Sequence, residues 1–283
     1  MQANHAESVM TDVAPNDLAA SLAKVDLTAL RQTYNEQDEF VVLERCLGPE
    51  LLGQWERELE QLKPHVHRNF VPKHKKGGSV PYHLVHQLAP SISGLYHDPA
   101  FIELLRKLAD APMKECPDSD PHRCALYAYT EEGDHIGWHY DTSYYKDRRW
   151  TVLVGLVDRS SSRLECKLRT RMEGSTPQEL ALRIEPGTVV VFNGDKVLHR
   201  VTPIEAGEER FIISMQYVTR PDMNPFLRLF SNMKDAFAYF GLKQVFLGRG
   251  QKRSGACATQ TDRSLQAAST SGRPDVSKNK RRL

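Results

Sequence analysis

The sequence lacks the cysteine patterns that form disulfides in small secreted domains or bind structural zinc. Its five cysteines are an odd number, and no two of them form a Cys-x-x-Cys pair. Because disulfide frameworks use an even number of spaced cysteines and zinc sites use close pairs, both kinds of site are disfavoured. Reduced thiols are typical of a cytoplasmic protein, and the cytoplasm is the expected location.

Long apolar runs are also missing. No segment approaches the roughly 18 apolar residues that a membrane span requires, and the first residues show no basic start followed by an apolar run. The sequence therefore predicts neither a membrane partner nor a secretory signal. With 283 residues, of which 40% are hydrophobic, the chain is long enough for one large domain with a substantial core.

Neither sign of charge is in large excess, since the formal net charge is only +2, but the charges are unevenly distributed along the chain. Residues 249–283 hold nine Lys or Arg against two Asp, so residues 1–248 carry a net charge of −5. An acidic body disfavours nucleic acid as a partner, because binding to phosphates needs a basic surface. The polar tail and the periodless start predict disorder. The predicted layout is a disordered segment 1–24, a single domain 25–248 and a disordered basic tail.

Two kinds of periodicity occur within the predicted domain. Apolar residues spaced three or four apart predict a helix over 48–62, and an Asp98-Pro99 start predicts a second helix to about residue 108. Short β-rich runs between glycine turns then predict eight strands. These strands cover residues 124–129, 135–139, 150–156, 163–168, 180–184, 188–192, 197–203 and 211–218.

Eight short strands of this kind indicate a closed or sandwiched sheet. We expect an α+β fold in which a double-stranded β-helix, a jelly-roll or cupin-like core, is buttressed by N-terminal and C-terminal helices. An aromatic-rich apolar segment at 226–246 predicts the C-terminal helix. The basic, glycine-containing segment 68–79 is interpreted as a loop.

One predicted strand places two metal-binding side chains on the same face. His139 and Asp141 are two residues apart, and alternate residues of a strand point the same way. About sixty residues later His199, at the start of another predicted strand, adds a second imidazole. His-x-Asp alone is a weak pattern, but two histidines and one carboxylate form the ligand face of non-haem Fe(II) oxygenases. These three residues are the predicted metal ligands and catalytic residues.

Arg210 adds a fourth element to this pattern. It begins an apolar strand in which Arg210, Ile212, Ser214 and Gln216 share one face. A charge on an inward face must be paired, and the planar guanidinium suits a carboxylate. A dicarboxylate such as 2-oxoglutarate fits this geometry; the alternative is a surface arginine in an acidic turn.

These four residues, in this order, resemble the pattern of the Fe(II)/2-oxoglutarate-dependent dioxygenase superfamily over roughly residues 123–218. The resemblance implies Fe(II) as the metal, 2-oxoglutarate and dioxygen as cosubstrates, and ascorbate as a possible reductant. It also implies that Tyr129 donates to the cosubstrate carboxylate, with core packing as the alternative. Plant-type members place serine two positions after the arginine. This chain has Ile212 there and Ser214 two further on, so Ser214 is the candidate second anchor.

A second resemblance concerns the run from His139 to Tyr145 and the upstream Lys75-Lys76-Gly77-Gly78. Both are similar to a small bacterial group of free-amino-acid radical halogenases and related hydroxylases. This resemblance implies a small polar substrate, a free amino acid first of all. In the halogenases a small residue replaces the acid. Because this chain has Asp141 at that position, hydroxylation of an unactivated C–H bond is expected rather than halogenation.

Three further residues are candidates for contact with the substrate. His135 shares strand parity with His139, Lys76 lies in the polar loop that can hold an anionic group, and Thr142 follows the motif. A solvated loop is the alternative for Lys76. Two other functions remain open: hydroxylation of a protein side chain, and metal binding without turnover by a cupin-like protein. The sequence does not define the oligomeric state.

Overall fold

A computed structural model describes residues 16–141 and 145–222 of the chain. The chain divides into a first compact unit, residues 1–250, and a second, residues 251–283, which lies wholly outside the described residues. The predicted helix at 226–246 and the predicted tail also lie outside them. The expected disorder of the N-terminal segment does not hold at its end, because Asn16–Ala23 is a helix whose Leu22 is buried in the core.

In the described part of the chain, six α-helices precede most of the sheet. They are α1 (Asn16–Ala23), α2 (Leu27–Glu36), α3 (Pro49–Leu62), α4 (Tyr82–Leu88), α5 (Pro90–His97) and α6 (Pro99–Ala109). The carboxylate of Asp26 caps α2 and that of Asp98 caps α6, and each accepts from free backbone N–H groups of the first turn. The predictions for α3 and α6 are confirmed, whereas α4 and α5 were not predicted. Among the described helices, none is long and apolar enough to cross a bilayer.

Across residues 16–141 and 145–222, twelve strands form one antiparallel, curled sheet, the predicted jelly-roll core. They are β1 (Phe40–Leu43), β2 (His67–Val71), β3 (Lys75–Val80), β4 (Lys114–Glu115), β5 (Cys124–Tyr129), β6 (His135–His139), β7 (Arg149–Arg159), β8 (Leu164–Leu168), β9 (Gln178–Leu182), β10 (Val189–Asn193), β11 (Leu198–Val201) and β12 (Glu209–Val218). The order is β1-β10-β7-β12-β5-β3-β6-β11-β8-β9, with β2 on β3 and β4 on β12. All eight predicted strands are present, with β9 displaced by two residues.

The interpretation of segment 68–79 as a loop is wrong. It forms the hairpin β2–β3, and β3 also pairs with β5 and β6. The glycines here serve close packing rather than turn geometry. A Cβ on Gly78 would lie 2.2 Å from Val66 Cγ1, and one on Gly77 would meet the carbonyl of Ala128 at 3.4 Å. A side chain at position 78 would push Val66 away from β3, whereas a Cβ at position 77 would make only an ordinary contact.

Alternation along β12 separates two cores. Phe211, Ile213, Met215 and Tyr217 belong to the larger apolar cluster, in which the helices pack against one face of the sheet. Ile212 belongs to a second cluster inside the barrel, with residues of β5, β6, β8, β10 and β11. The helices therefore support the sheet from outside, and its inner face is left to form a site.

Candidate active site

His139, Asp141 and His199 converge at one end of the barrel. His139 ends β6 and His199 lies in β11, and the two residues are direct cross-strand partners. The Nε2 atom of His139 is 3.5 Å from Asp141 Oδ1, and that of His199 is 3.8 Å from Asp141 Oδ2. One ligand atom from each residue lies within 4.8 Å of the other two, a spacing at which a single metal ion can bind all three.

Backbone carbonyls fix the orientation of both imidazoles. His139 Nδ1 is 2.8 Å from the oxygen of Gly137, and His199 Nδ1 is 3.1 Å from that of Val197. A carbonyl oxygen only accepts hydrogen bonds, so each Nδ1 carries the proton and donates it. Each Nε2 therefore keeps its lone pair for a metal, the arrangement that outer hydrogen bonds enforce in metal sites.

Burial also favours the neutral form of His199. Removal from water, with repulsion from the neighbouring His139, lowers the pKa of His199 to about 4. The ring is therefore neutral at physiological pH. A neutral imidazole is the form that binds a cation, so no proton has to be displaced.

Asp141 is held as a carboxylate from several sides. Burial opposes its ionisation, but attraction to His199, His139 and Arg149 outweighs burial and holds the pKa of Asp141 well below its usual value. Thr151 donates its hydroxyl to Oδ2 at 2.6 Å, which orients the carboxylate.

The turn after β10 fixes the backbone of Asp141. The amide of Asp141 donates to the carbonyl of Gly194 at 2.9 Å. A Cβ on Gly194 would lie 2.7 Å from Asp141 Cβ and 2.9 Å from its carbonyl oxygen. Only glycine allows this approach without a shift, so residue 194 determines the position of the carboxylate ligand.

Arg210 is a buried cation in the same barrel. Its side chain is 1% exposed, and Nη1 donates to Ser162 Oγ at 3.0 Å, while Nε has no hydrogen-bond partner. No carboxylate in the described part of the chain forms an ion pair with it. Burial lowers the pKa of Arg210, only partly opposed by Tyr129 and Asp158. A buried guanidinium whose N–H groups are only partly used by the described residues favours an anionic ligand.

One internal cavity, which we call the central cavity, joins the triad to Arg210. Its polar lining consists of Tyr127, Tyr129, His139, Asp141, His199, Arg210, Ser214 and Gln216. Its apolar lining consists of Ile136, Leu153, Leu164, Ile184, Val201 and Ile212. The four residues expected to share one face of β12 all line it. Apolar walls around a few polar groups are typical of small-molecule sites.

Two of the three substrate candidates, His135 and Lys76, do not line this cavity. His135 Nδ1 is 2.8 Å from the carbonyl of Gly133, and Lys76 donates its ammonium to the carbonyl of Glu132 at 2.6 Å. Neither residue is part of the cavity lining. Thr142 lies outside the described residues.

Three polar residues at the site were not assigned a role from the sequence. Thr151 holds Asp141, Ser162 holds Arg210, and Gln216 lines the cavity. Thr151 shares strand parity with the cavity residue Leu153, which is a usable signal. Ser162 lies in the loop after β7, where no periodicity points to the site.

Two family models match parts of this chain. Residues 124–217 match the family model of the 2OG-Fe(II) oxygenase superfamily, and residues 22–146 match the family model of Halogenase D. No curated protein matches the chain.

Solved structures share the fold. The non-haem alpha ketoglutarate-dependent epimerase SnoN, from nogalamycin biosynthesis, aligns at a TM-score of 0.59 and 15% identity, over 71% of this chain and 86% of its own. A prolyl hydroxylase from Trichoplax adhaerens aligns at 0.57 and 14%, over 71% and 92%. AviO1 from Streptomyces viridochromogenes aligns at 0.55 and 17%, over 71% and 97%. At such identities the likeness shows a common fold.

Proposed function

We propose that this chain, whose residues 124–217 match the family model of the 2OG-Fe(II) oxygenase superfamily, is a 2-oxoglutarate-dependent hydroxylase of a free amino acid. One observation carries the proposal: three ligand atoms converge within 4.8 Å in a cavity that also holds a buried arginine without an ion-pair partner among the described residues. The single domain 25–248 remains a prediction.

The donor set fits Fe(II). His139, Asp141 and His199 would hold the ion, since two neutral imidazoles and one carboxylate on one face suit ferrous iron and leave positions for other ligands. When bound, the iron with 2-oxoglutarate and dioxygen supplies the oxidising power for C–H hydroxylation. The protein's residues keep both imidazoles proton-free at Nε2 and exclude bulk water through the apolar walls of the central cavity.

Arg210 would hold the distal carboxylate of 2-oxoglutarate. Within residues 16–141 and 145–222 its guanidinium donates to Ser162, so the remaining N–H groups are available to a carboxylate. Tyr129 is the cross-strand partner of Arg210 and lines the same cavity, where its hydroxyl can donate to the same ligand. The hydroxyl of Ser162 supports the guanidinium, whereas Ser214 lines the same cavity and stays the candidate second anchor for 2-oxoglutarate.

Asp141 favours hydroxylation over halogenation. A halide needs a position on the metal that no carboxylate occupies. Here the carboxylate is fixed by Thr151 and by the backbone of Gly194, so it stays in the ligand position. The match to Halogenase D over residues 22–146 thus fits a hydroxylating relative of that group.

The substrate class rests on the resemblance to enzymes of free amino acids. A cavity lined by several polar side chains suits a small polar molecule better than an apolar one. Hydroxylation of a protein side chain is the alternative, because prolyl hydroxylases share the fold. We expect dioxygen as a further substrate and ascorbate as a reductant.

The test is substrate-stimulated release of succinate. The full chain is incubated with Fe(II), ascorbate and 2-oxoglutarate and challenged with the free amino acids, basic ones first, and with proline-containing peptides. Stimulation by an amino acid, with a product heavier by one oxygen atom, supports the proposal. Stimulation by peptides alone overturns the substrate class, and a chlorinated product overturns the reaction type.

A further inference from the structure

Gln216 presents a buried polar group to the central cavity that nothing in the metal or 2-oxoglutarate site uses. Its side chain is 4% exposed and lines the cavity, yet its Oε1 is enclosed without a hydrogen-bond partner in the described part of the chain. Buried acceptors are nearly always satisfied in folded proteins. An acceptor that is left unpaired beside a ligand cavity points to a donor on the ligand.

Hydrogen bonds hold the backbone of Gln216 in place. A shift of the strand therefore does not turn the side chain away from the cavity. Its carbonyl accepts from the Tyr96 hydroxyl at 3.0 Å and from the Cys116 thiol at 3.3 Å. Its amide donates to the carbonyl of Arg123 at 2.9 Å. The main chain is therefore satisfied at this residue, and only the carboxamide remains available.

The position of Gln216 along β12 separates it from the 2-oxoglutarate anchor. Gln216 lies six positions beyond Arg210 along the strand, a span of roughly 20 Å at the usual rise. A five-carbon diacid is only about 6 Å long from ordinary bond lengths. Gln216 is instead the cross-strand neighbour of Thr151, which donates to Asp141, so it lies at the metal end of the cavity.

We infer that the Gln216 carboxamide is a substrate-binding group whose oxygen accepts a hydrogen bond from an ammonium of the amino acid. This assignment rests on the proposed function and adds a specificity determinant to it. An ammonium has donors only, and a neutral amide oxygen accepts them without the cost of burying another charge. The contact would lie at the end of the cavity near Asp141 and far from Arg210, so it should change the affinity for the amino acid and not that for 2-oxoglutarate.

The test compares wild type with Gln216→Met, which keeps the length of the side chain and removes the acceptor. The probes are L-lysine, 6-aminohexanoate, which lacks the α-ammonium, and L-norleucine, which lacks the side-chain ammonium. KM from succinate release is combined with calorimetric binding to the iron- and 2-oxoglutarate-loaded enzyme under nitrogen. Gln178→Met, the same change at the start of the outer strand β9, is the matched control.

The expected result is a KM and Kd for lysine raised at least about tenfold in Gln216→Met, with the 2-oxoglutarate affinity and the Gln178→Met enzyme unchanged. One of the two analogues should bind wild type and Gln216→Met equally, and that analogue identifies which ammonium makes the contact. Gln216→Glu should bind lysine more tightly, which keeps the inference testable if the methionine variant fails to fold.

Unchanged lysine affinity in a folded Gln216→Met enzyme overturns the inference, as does a loss confined to 2-oxoglutarate. Neither result affects the hydroxylase assignment, since wild type still turns over. If no amino acid stimulates succinate release by wild type, the proposed substrate class is wrong, and so is the ammonium contact. The two failures are therefore distinguishable.

Discussion

His139 and His199 lie directly opposite each other on β6 and β11, with ring centroids 4.2 Å apart. Their separation is therefore set by the sheet itself and not by a loop. Asp141, two residues beyond His139, is added by the turn at Gly194. The site thus combines two predicted ligands on a rigid sheet with a third whose position depends on one close backbone approach.

That close approach predicts a strong effect of Gly194→Ala. The new Cβ would lie 2.7 Å from Asp141 Cβ, so the backbone of one of the two residues must move. We expect Fe(II) affinity to fall by about 10- to 100-fold, the range for lost support of a ligand. Fe(II) titration under nitrogen measures this.

Gly94→Ala in α5 is the control, because a Cβ there meets no atom within 4 Å. It should leave Fe(II) affinity at the wild-type value. Equal affinities for Gly194→Ala and wild type would show that the carboxylate is not positioned by this turn.

Arg210→Lys is predicted to raise the KM for 2-oxoglutarate at least about tenfold, because an ammonium does not reproduce the paired N–H donors of the guanidinium. Fe(II) affinity should change little, since Arg210 is not a predicted ligand. Initial rates over a range of 2-oxoglutarate concentrations give the KM.

Arg200→Lys provides the comparison for this substitution. Arg200 pairs with Glu165 and stacks on the ring of Trp138, away from the central cavity. If both variants show the same KM for 2-oxoglutarate, the anchor has been assigned to the wrong residue.

Much of the barrel could be predicted from the sequence because each of its strands alternates between two environments. On β12 the inward Arg210, Ile212 and Ser214 alternate with the outward Phe211 and Ile213, so period-two patterning was a reliable signal. The hairpin β2–β3 was missed for the converse reason. Gly77 and Gly78 have no side chains to alternate, and their role depends on neighbours distant in sequence.

The residues of the candidate site could also be predicted only in part. Histidine, aspartate and arginine have few roles on an inward strand face, so their spacing was informative. Ser162 and Gln216 were not assigned roles, because hydroxyl and amide side chains occur in many contexts. Only the contact of Ser162 with Arg210, and the enclosure of Gln216 Oε1, distinguish them.

The buried carboxylate of Asp134 makes the fold sensitive to acid. Arg68 donates to both of its oxygens, at 2.6 and 2.8 Å, and the amides of Thr130 and Glu131 donate to Oδ2. Burial opposes ionisation, but these hydrogen bonds outweigh it and lower the pKa of Asp134. Because the folded pKa lies below the unfolded value of about 3.9, the stabilisation is present above that pH and lost below it.

The free energy of unfolding of wild type should therefore decrease as the pH falls from about 5 through the folded pKa of Asp134. In Asp134→Asn this decrease should be shallower, and the variant should be less stable than wild type at pH 7, because Arg68 loses its buried charged partner and keeps only the exposed Glu131. Urea denaturation at several pH values measures both. Parallel curves for the two proteins would show that Asp134 contributes nothing to the acid response.

The most direct measurement is equilibrium binding of Fe(II) under nitrogen to wild type and to four single variants. His139→Ala, Asp141→Ala and His199→Ala each remove a ligand, and His135→Ala removes a histidine of the same strand that lies outside the cavity lining. Wild type and His135→Ala should bind one ion per chain with the same affinity, and the three ligand variants should bind at least about 100-fold more weakly. Wild-type affinity in Asp141→Ala or His199→Ala would contradict the iron site.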